Sequence, residues 1–242
     1  MEQRHDDDSI WAVARDAIFP PGAFAAAAHE VAACVGLAGL TGPSDVLDMP
    51  CGPGRHALPL ARVGHRVVAV DRTRAYLDEL RAADDPEHSL EVVEADMREF
   101  VRPAAFDLAL LLYNSLGYFE SPDEDRRVLE NLWTSLRPGA TLVIDLLPRE
   151  LMTRLFEPVR ERPLPDGRTL REEAQLLDGG ARLRSTWTLS GARPFDMSLR
   201  LYGADELADL LADIGYSPRL FGGFDGRPFA PDSPRLVVAA VR

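Results

Sequence analysis

The sequence contains no lysine, and all 27 of its basic residues are arginine. This absence excludes chemistry that needs an amine side chain, such as a Schiff base or the lysine of a phosphate-binding P-loop. Only two cysteines are present, Cys34 and Cys51, which are too few for a disulfide framework or a cysteine-rich metal site. No apolar run reaches the roughly 18 residues that a membrane span needs, so the sequence predicts no transmembrane helix.

Positive charge is also scarce relative to negative charge. The 39 acidic residues outnumber the 27 arginines, which leaves a formal net charge of −12. Phosphate backbones and anionic membranes bind clustered positive charge, so we expect neither as a partner. The first residues, MEQRHDDDSIW, are polar and lack the basic flank and apolar core of a signal peptide. We therefore expect a frayed polar start and a cytoplasmic protein with reduced thiols.

Short apolar runs alternate with helical stretches from Asp45 to Leu147. Strands that alternate with helices predict βαβ units, in which successive strands lie parallel in one sheet. The solid apolar runs at 106–112 and 141–147 are typical of central strands buried on both faces. We expect strands at 46–47, 66–70, 90–93, 106–112 and 141–147, and helices at about 54–63, 73–83 and 122–136.

The flanking segments have different patterns. The alanine-rich stretch from Ile10 to Leu40 predicts two helices broken at Pro20-Pro21-Gly22. Between 159 and 202, turn signals at 166–167 and 178–180 predict a small antiparallel β addition.

The carboxyl-terminal part predicts a helix and a hairpin. The helix covers 204–214 and stops at Gly215, and an apolar strand from Leu236 to Val241 ends the hairpin. This hairpin is expected to give the sheet an antiparallel edge. We expect one α/β domain over 1–242, with a helical segment at 1–43, a core at 44–149, the antiparallel addition at 150–202 and a helix with a hairpin at 203–242.

The main chemical signal is the stretch from Val46 to His56, where a strand runs into a tight glycine turn. Gly52 and Gly54 allow a ligand to approach the backbone closely, because glycine has no Cβ. The same residues match the GxGxxA form of a dinucleotide fingerprint, and a turn that binds no ligand is a further alternative. Asp48, four residues before the first glycine, disfavours a pyrophosphate and favours a cationic ligand.

Two more acids follow the ends of predicted strands. Asp71 ends the second strand, where a carboxylate can accept both hydroxyls of a ribose. Asp96 follows the third strand and can accept a hydrogen bond from an adenine amino group, with Met97 covering the ring. The alternatives are a helix N-cap for Asp71 and a turn residue for Asp96. Three acids at three successive strand ends are more informative than any one of them.

With these residues, the sequence resembles the class I S-adenosylmethionine (SAM) methyltransferases, strongly over 44–147 and more loosely over 200–242. The resemblance implies a Rossmann-like, doubly wound, mostly parallel seven-stranded sheet under an N-terminal helical lid, with SAM as the cofactor and no metal. Pro50 departs from the family, which most often has glycine there. The residues that it implies for the cofactor are Asp48, Pro50, Cys51, Gly52, Gly54, Asp71, Arg72, Asp96, Met97 and Leu112.

The stretch from Leu111 to Phe119 corresponds to the family's fourth motif, where the acceptor meets the methyl group. Tyr113 and Asn114 are the candidates for positioning the acceptor, and no general base is assigned. The stretch is not the Asn/Asp-Pro-Pro-Tyr/Phe form of many nucleic-acid methyltransferases. Packing alone remains an alternative for the aromatic side chains. The candidate acceptor-binding residues are Trp11, Phe19, Phe24, Tyr118, Phe119, Arg200 and Tyr202.

The tail, with Gly223-Phe224-Asp225 and Asp232-Ser233-Pro234, is similar to that of a bacterial small-molecule subgroup. The resemblance therefore implies methyl transfer to oxygen or nitrogen, less readily to carbon, of a specialised metabolite such as an antibiotic precursor. Two alternatives stay open. One is a methyltransferase-like protein that binds SAM without methyl transfer, as a pericyclase or a regulatory subunit, and the other is an NAD(P)-dependent oxidoreductase. Both a monomer and a homodimer are compatible with the sequence.

Overall fold

The computed structural model describes residues 8–242. The polar start at 1–10 was expected to fray; residues 1–7 lie outside the described residues, whereas 8–10 form the first turn of a helix, so the prediction is wrong for those three. The chain forms one large sheet, one small sheet and helices that cover them. The helices are α1 (Asp8–Ile18), α2 (Pro21–Leu37), α3 (Ala57–Arg62), α4 (Arg74–Ala83), α5 (Pro122–Ser135), α6 (Arg149–Arg154) and α7 (Ala204–Ile214). The strands are β1 (Asp45–Asp48), β2 (Arg66–Asp71), β3 (Leu90–Glu94), β4 (Phe106–Leu111), β5 (Leu136–Leu146), β6 (Val159–Pro163), β7 (Thr169–Leu177), β8 (Arg182–Leu189), β9 (Phe195–Arg200), β10 (Ser217–Phe221) and β11 (Leu236–Val241).

The large sheet has seven strands in the order β10-β11-β5-β4-β1-β2-β3. Strands β1 to β5 are parallel, whereas β11 runs antiparallel to both of its neighbours, β5 and β10. The predicted doubly wound sheet with an antiparallel hairpin at its edge is therefore confirmed.

Side chains that alternate along β2 explain how the sheet is covered on both faces. Val68 and Val70 pack into a core with α5 and α7, while Val67 and Ala69 pack into a second core with α2, α3 and α4. A strand with apolar side chains on both faces is stable only between two layers of helices.

The starts of two elements differ from the sequence prediction by three residues or more. Helix α3 begins at Ala57, not near residue 54, because Gly52 and Gly54 have φ angles of 54° and 84° and cannot continue a right-handed helix. Strand β5 begins at Leu136, five residues before the predicted start at 141 (141 − 136), because Leu136 pairs with Phe106 across an irregularity in the register.

The small sheet has the order β6-β7-β8-β9, and its strands are antiparallel, as predicted. Helix α1 packs on its apolar face, where Ile10, Ala14 and Ala17 meet Leu170 and Phe195. This contact holds α1 above the large sheet. No single helix in 8–242 is long and apolar enough to cross a membrane, while α1 and α2 pass that test only as a pair bent by 77°.

Candidate cofactor and acceptor site

A cavity of about 950 Å³, including the space at its mouth, lies at the carboxyl ends of strands β1 to β4. Its walls come from the segments that follow these strands, at 50–52, 71–73, 95–97 and 112–115, and from α1. Ligands of open α/β sheets bind at this end of the strands.

The glycine turn after β1 forms the floor of the cavity. A Cβ on Gly54 would lie 2.3 Å from Leu80 Cδ1, so the turn can approach α4 only with glycine at this position. A Cβ on Gly52 would lie 2.9 Å from the Phe19 ring, which covers the turn from above. The Met49–Pro50 peptide bond is cis, and Pro50 and Cys51 line the cavity. The turn therefore lines the cavity at Gly52, with the Phe19 ring packed closely against it.

Asp71 connects this turn to the next strand. Its carboxylate is buried and accepts hydrogen bonds from the backbone N–H groups of Gly52 and Thr73, each at 2.8 Å. Burial raises the pKa of Asp71, against the effect of these donors. Thr73, not Asp71, is the N-cap of α4. Asp71 also lines the cavity, and a carboxylate can accept hydrogen bonds from hydroxyl groups.

Asp96 follows β3 and lines the cavity with Met97. Its Oδ1 accepts the Arg98 backbone N–H at 2.8 Å, and its two oxygens pair with the Arg98 guanidinium at 3.0 and 2.6 Å. Burial opposes ionisation, but these hydrogen bonds prevail and lower the pKa of Asp96. Arg72 also lines the cavity, with Nη1 3.8 Å from Asp96 Oδ2. Asp96 is thus a turn residue and a fixed anion beside Met97.

The Asp48 carboxylate lies beneath the glycine turn and is 1% exposed. Neither of its oxygens has a hydrogen-bond partner among residues 8–242. Burial raises its pKa to about 6, against the effect of the charges on His56 and Arg55. A buried carboxylate without a donor is costly, and a cationic ligand offsets that cost. This orphaned acid, together with Asp71 and Met97, fits SAM, which carries a sulfonium, an ammonium, a ribose and an adenine.

Tyr113 and Asn114 form a strained turn at the end of β4. Their φ angles are 63° and 64°, a left-handed conformation that is unfavourable for tyrosine. Asp145 holds the turn, because its carboxylate accepts the Tyr113 N–H at 3.1 Å and its carbonyl accepts the Asn114 N–H at 2.9 Å. Arg235 in turn pairs with the Asp145 carboxylate at 2.6 Å. Strain of this kind is typical of functional sites, which supports a positioning role for the turn.

Aromatic rings form the wall of the cavity opposite the acids. Phe19 stacks on Tyr113 with 5.6 Å between ring centroids, and Trp11 meets Tyr118 edge to face at 5.3 Å. Phe119 lines the same wall. Burial raises the pKa of Tyr118 to about 12, against a hydrogen bond with Asn114, so this phenol stays protonated at neutral pH. The wall is therefore apolar, with neutral hydroxyl groups.

Three of the predicted acceptor residues lie outside the cavity lining. Phe24 packs against Phe19 and beneath Arg15. The Tyr202 hydroxyl donates to the Asp125 carboxylate at 2.8 Å, and Arg200 donates to the Glu120 carbonyl at 2.9 Å. The sequence places Arg200 and Tyr202 at the end of the addition, which follows the fifth strand and could have covered its tip, but the structure directs them onto the start of α5.

Among the predicted cofactor and positioning residues, three also lie outside the lining: Asp48, Gly54 and Asn114. The Asn114 Oδ1 accepts the Leu147 N–H at 3.0 Å, which fixes its side chain. Cys51 lines the cavity, and burial raises the pKa of its thiol well above the usual value.

Several lining residues were not predicted from the sequence. Arg55 Nη2 and His56 Nε2 lie 2.6 and 2.9 Å from the Glu30 carboxylate of α2, and Tyr76 donates to the Trp11 carbonyl at 2.5 Å. Their closeness in sequence to the glycine turn and to Asp71 is the feature from which a place in the cavity could have been predicted. Among residues 8–242, no three His, Cys, Asp or Glu side chains form a group that could hold a metal ion.

Comparison with known proteins finds a matching domain in the core of the chain. Residues 46–139 match the family described as a methyltransferase domain. Over 209 residues, the chain is 26% identical to the cypemycin N-terminal methyltransferase of a Streptomyces species, covering 81% of this chain and 82% of that protein.

Solved structures share the fold over nearly the whole chain. The CcbJ methyltransferase of Streptomyces caelestis is 23% identical, with a TM-score of 0.76 and 89% of each chain covered. The SAM-bound CalS10 of Micromonospora echinaspora, an amino pentose methyltransferase of calicheamicin biosynthesis, is 21% identical, with a TM-score of 0.69 and 97% of each chain covered. Residues 46–139 thus match a methyltransferase domain, and nearly the whole chain shares the fold of these methyltransferases.

Proposed function

We propose that this methyltransferase transfers the methyl group of SAM to a nitrogen or oxygen of a small molecule, as a step in making a specialised metabolite. The proposal rests on one observation, namely that two different surfaces line the same cavity. Asp71, Asp96 and Met97 form a nucleoside-binding side, and Trp11 and Tyr118 belong to an apolar side at the end of β4. An enclosed apolar surface suits a small acceptor and excludes water from the reacting atoms.

The relatives favour nitrogen over oxygen as the atom that is methylated. One is named as an N-terminal methyltransferase and another as an amino pentose methyltransferase, and an amine is the common feature of these two descriptions. The net charge of −12 is also compatible with a cationic acceptor and unfavourable for nucleic acid. We propose a cytoplasmic enzyme in which the whole chain forms one domain, with residues 1–43 as its lid.

The chain's own residues would act by binding and alignment. SAM supplies an activated methyl group on a sulfonium. Asp71 would hold the ribose, and Asp96 with Met97 the adenine, which fixes the nucleoside along the strand ends. The turn at Tyr113 and Asn114 would orient the acceptor towards the methyl group, since alignment of the reacting atoms is the main requirement of this displacement. No base is required when an amine arrives unprotonated.

The first experiment is a calorimetric titration with S-adenosylhomocysteine, with NADH as the control ligand. We expect micromolar binding of S-adenosylhomocysteine, none of NADH, and a loss of at least about tenfold in Asp71→Ala, since a hydrogen-bonded charged group contributes on that scale. The exposed Asp232→Ala serves as the matched acid-to-alanine control. Binding of NADH instead would contradict the proposed cofactor, and unchanged affinity in Asp71→Ala would contradict the placement of the ribose.

A screen with labelled SAM then tests turnover. The panel pairs each amine with its hydroxyl analogue, so that the methylated atom is read directly. Methylated product from a small amine would support the proposal. Binding of SAM without product across a broad panel would favour the alternative of a SAM-binding protein without methyl transfer.

A further inference from the structure

Glu172 of β7 places a carboxylate on the apolar face of the small sheet. Side chains alternate along a strand, so Glu172 shares its face with Leu170 and Ala174, which are both buried. Leu170 belongs to the cluster through which this face packs against α1. Across the sheet, Glu172 pairs in register with Trp187 of β8, which packs against the same cluster. Because its neighbours on this face are apolar, the pattern calls for an apolar residue at position 172.

The Glu172 carboxylate is half-buried and forms no hydrogen bond or ion pair within the described part of the chain. Its register partner on β6 is Arg160, an arrangement in which opposite charges commonly pair. Arg160 instead pairs with Glu157, with 3.2 Å between Nε and Oε2. Arg162, two residues further along the same face, donates to the Ala17 carbonyl at 2.6 Å. Glu172 therefore keeps an unpaired negative charge, although two arginines occupy neighbouring positions.

Aromatic rings lie near this charge. Trp187 is the register partner of Glu172, and Tyr118 is within reach of its charge, which adds to the effect of burial in raising the pKa of that phenol. Tyr118 lines the cavity and meets the Trp11 ring edge to face. A carboxylate beside aromatic rings favours a cationic ligand, since the charge and the ring faces both attract positive charge. Glu172 thus adds a negative charge to the surroundings of the aromatic wall.

The place of Glu172 indicates which part of a ligand meets it. Glu172 is not among the residues that line the cavity, and it lies apart from the nucleoside side formed by Asp71, Asp96 and Met97. A cation held by a carboxylate stays protonated, because the nearby negative charge favours its charged form. A protonated amine has no free electron pair, so the group held at Glu172 is not the atom that receives the methyl group.

We propose that Glu172 selects an acceptor that carries an ammonium or another positively charged group in addition to the atom that is methylated. The inference rests on the proposed function in taking a small molecule as the acceptor, and it adds the charge of that molecule. Glu172 anchors the acceptor by an ion pair, while the turn at Tyr113 and Asn114 orients the reacting atom. Glu172 is thus a specificity-determining residue that acts on binding and not on the transfer step.

Two probes that differ only in charge test this inference. Phenethylamine carries an ammonium at neutral pH, whereas 2-phenylethanol carries a hydroxyl group in its place. Each is titrated into the protein loaded with S-adenosylhomocysteine, and binding is measured by ligand-observed NMR at millimolar concentrations. We expect phenethylamine to bind about threefold to tenfold more tightly, the range for a partly exposed ion pair with an aromatic contribution. In Glu172→Gln the two probes should bind equally.

The matched control is Glu173→Gln. Glu173 is the next residue of β7, points to the opposite face and pairs with Arg171 Nη2 at 2.9 Å. This variant removes the same charge from the same strand and should keep the full preference for phenethylamine. An equal loss of preference in both variants would show a general effect of net charge and would contradict the inference.

Glu172→Leu is the second variant, and it decides the test if Glu172→Gln does not fold. Leucine restores the apolar pattern of the face, so this variant should be at least as stable as the unaltered protein in thermal melts. It should also lose the preference for phenethylamine. A preference that persists in Glu172→Leu would contradict the inference.

The kinetics of a cationic acceptor from the labelled-SAM screen provide a further measurement. An anchoring ion pair is present equally before and during methyl transfer, so Glu172→Gln should raise KM about threefold to tenfold and leave kcat nearly unchanged. A lower kcat with an unchanged KM would place Glu172 in the transfer step and contradict its role as an anchor.

The outcomes separate this inference from the proposed function. If the protein binds S-adenosylhomocysteine but binds the two probes equally, or binds neither, the charge selection is wrong although the cofactor proposal holds. If the protein does not bind S-adenosylhomocysteine, the proposed function is wrong. The comparison of the probes on the ligand-free protein then tests the charge selection by itself, and equal binding there would overturn it.

Discussion

The Tyr113 hydroxyl donates a hydrogen bond of 2.9 Å to the carbonyl of Ile18. This bond joins the strained turn after β4 to the last residue of α1. Because Tyr113 also stacks on Phe19 and lies beneath Arg55, it contacts both the lid and the glycine turn. The candidate acceptor turn and the lid are therefore coupled by direct contact.

Removal of this hydroxyl should loosen the lid. In Tyr113→Phe the aromatic stacking persists, but the Ile18 carbonyl loses its donor, at a cost of about 1 kcal/mol. We expect faster hydrogen–deuterium exchange in residues 10–20, with little change in the exchange of β4 and β5. The control is Tyr216→Phe, which removes a bond of 3.1 Å to the Leu129 carbonyl in the core. Equal acceleration of lid exchange in both variants would show that Tyr113 has no special role there.

We expect the buried Asp48 to lower the stability of the ligand-free protein, although it favours binding of the cofactor. Its folded-state pKa of about 6 lies above the unfolded value, so the ionised group destabilises the fold, and this penalty grows as pH rises from about 4 through 6. Asp48→Asn should therefore raise the free energy of unfolding of the ligand-free protein at pH 8, by on the order of 2 kcal/mol. This gain should shrink towards pH 4. Denaturant titrations at both pH values measure it, with the exposed Asp232→Asn as the control.

The same group predicts how cofactor affinity depends on pH. A cation bound beside Asp48 favours its ionised form, so the affinity for S-adenosylhomocysteine should increase as pH rises through about 6. Binding near pH 6 should release a fraction of a proton, which calorimetry in buffers of different ionisation enthalpy detects. In Asp48→Asn the affinity should be lower, and this pH dependence should be absent. A profile that stays unchanged in the variant would exclude Asp48 as its source.

We expect Tyr202 to contribute to the stability of the fold and not to the binding of the cofactor. The Asp125 carboxylate is 0% exposed and accepts both the Tyr202 hydroxyl and the Gly117 N–H, the latter at 3.2 Å. Burial raises the pKa of Asp125, and the Tyr202 hydrogen bond opposes this. Tyr202→Phe should cost about 1 to 3 kcal/mol and leave the affinity for S-adenosylhomocysteine unchanged. An unchanged melting temperature with altered acceptor binding would instead support the acceptor role that the sequence predicts.

Gly54 should tolerate no side chain. Its φ of 84° is unfavourable for other residues, and a Cβ would lie 2.3 Å from the Leu80 side chain. Gly54→Ala should destabilise the protein by about 2 kcal/mol or more, from backbone strain and overpacking together. Gly226→Ala is a suitable control, because Gly226 has a similar φ of 76° but open space around it. Thermal melts of the two variants separate the backbone strain, which both share, from the steric conflict, which only Gly54→Ala has. Equal losses of stability in the two variants would show that the contact with Leu80 is unimportant.

The acidic stretch after Phe119 shows what a local sequence pattern can predict and what it cannot. The sequence indicates a capped helix start there, and Ser121 with Glu124 forms that capping box at the start of α5. The same pattern suggests that Asp125 is solvated, yet Asp125 is fully buried. Its burial depends on Tyr202, 77 positions later in the chain, which no local pattern contains.

The sequence by itself determined the alternation of strands and helices, the glycine turn, the acids at the strand ends and the hairpins of the small sheet. These features depend on neighbouring residues, through hydrophobic period, glycine conformation and turn preference. Only the tertiary structure decided that Arg55 faces the cavity, that Asp48 has no hydrogen-bond partner within the described part of the chain and that Tyr113 meets Ile18. These depend on contacts between segments far apart in the chain, which burial and packing fix once the sheet and the lid have assembled.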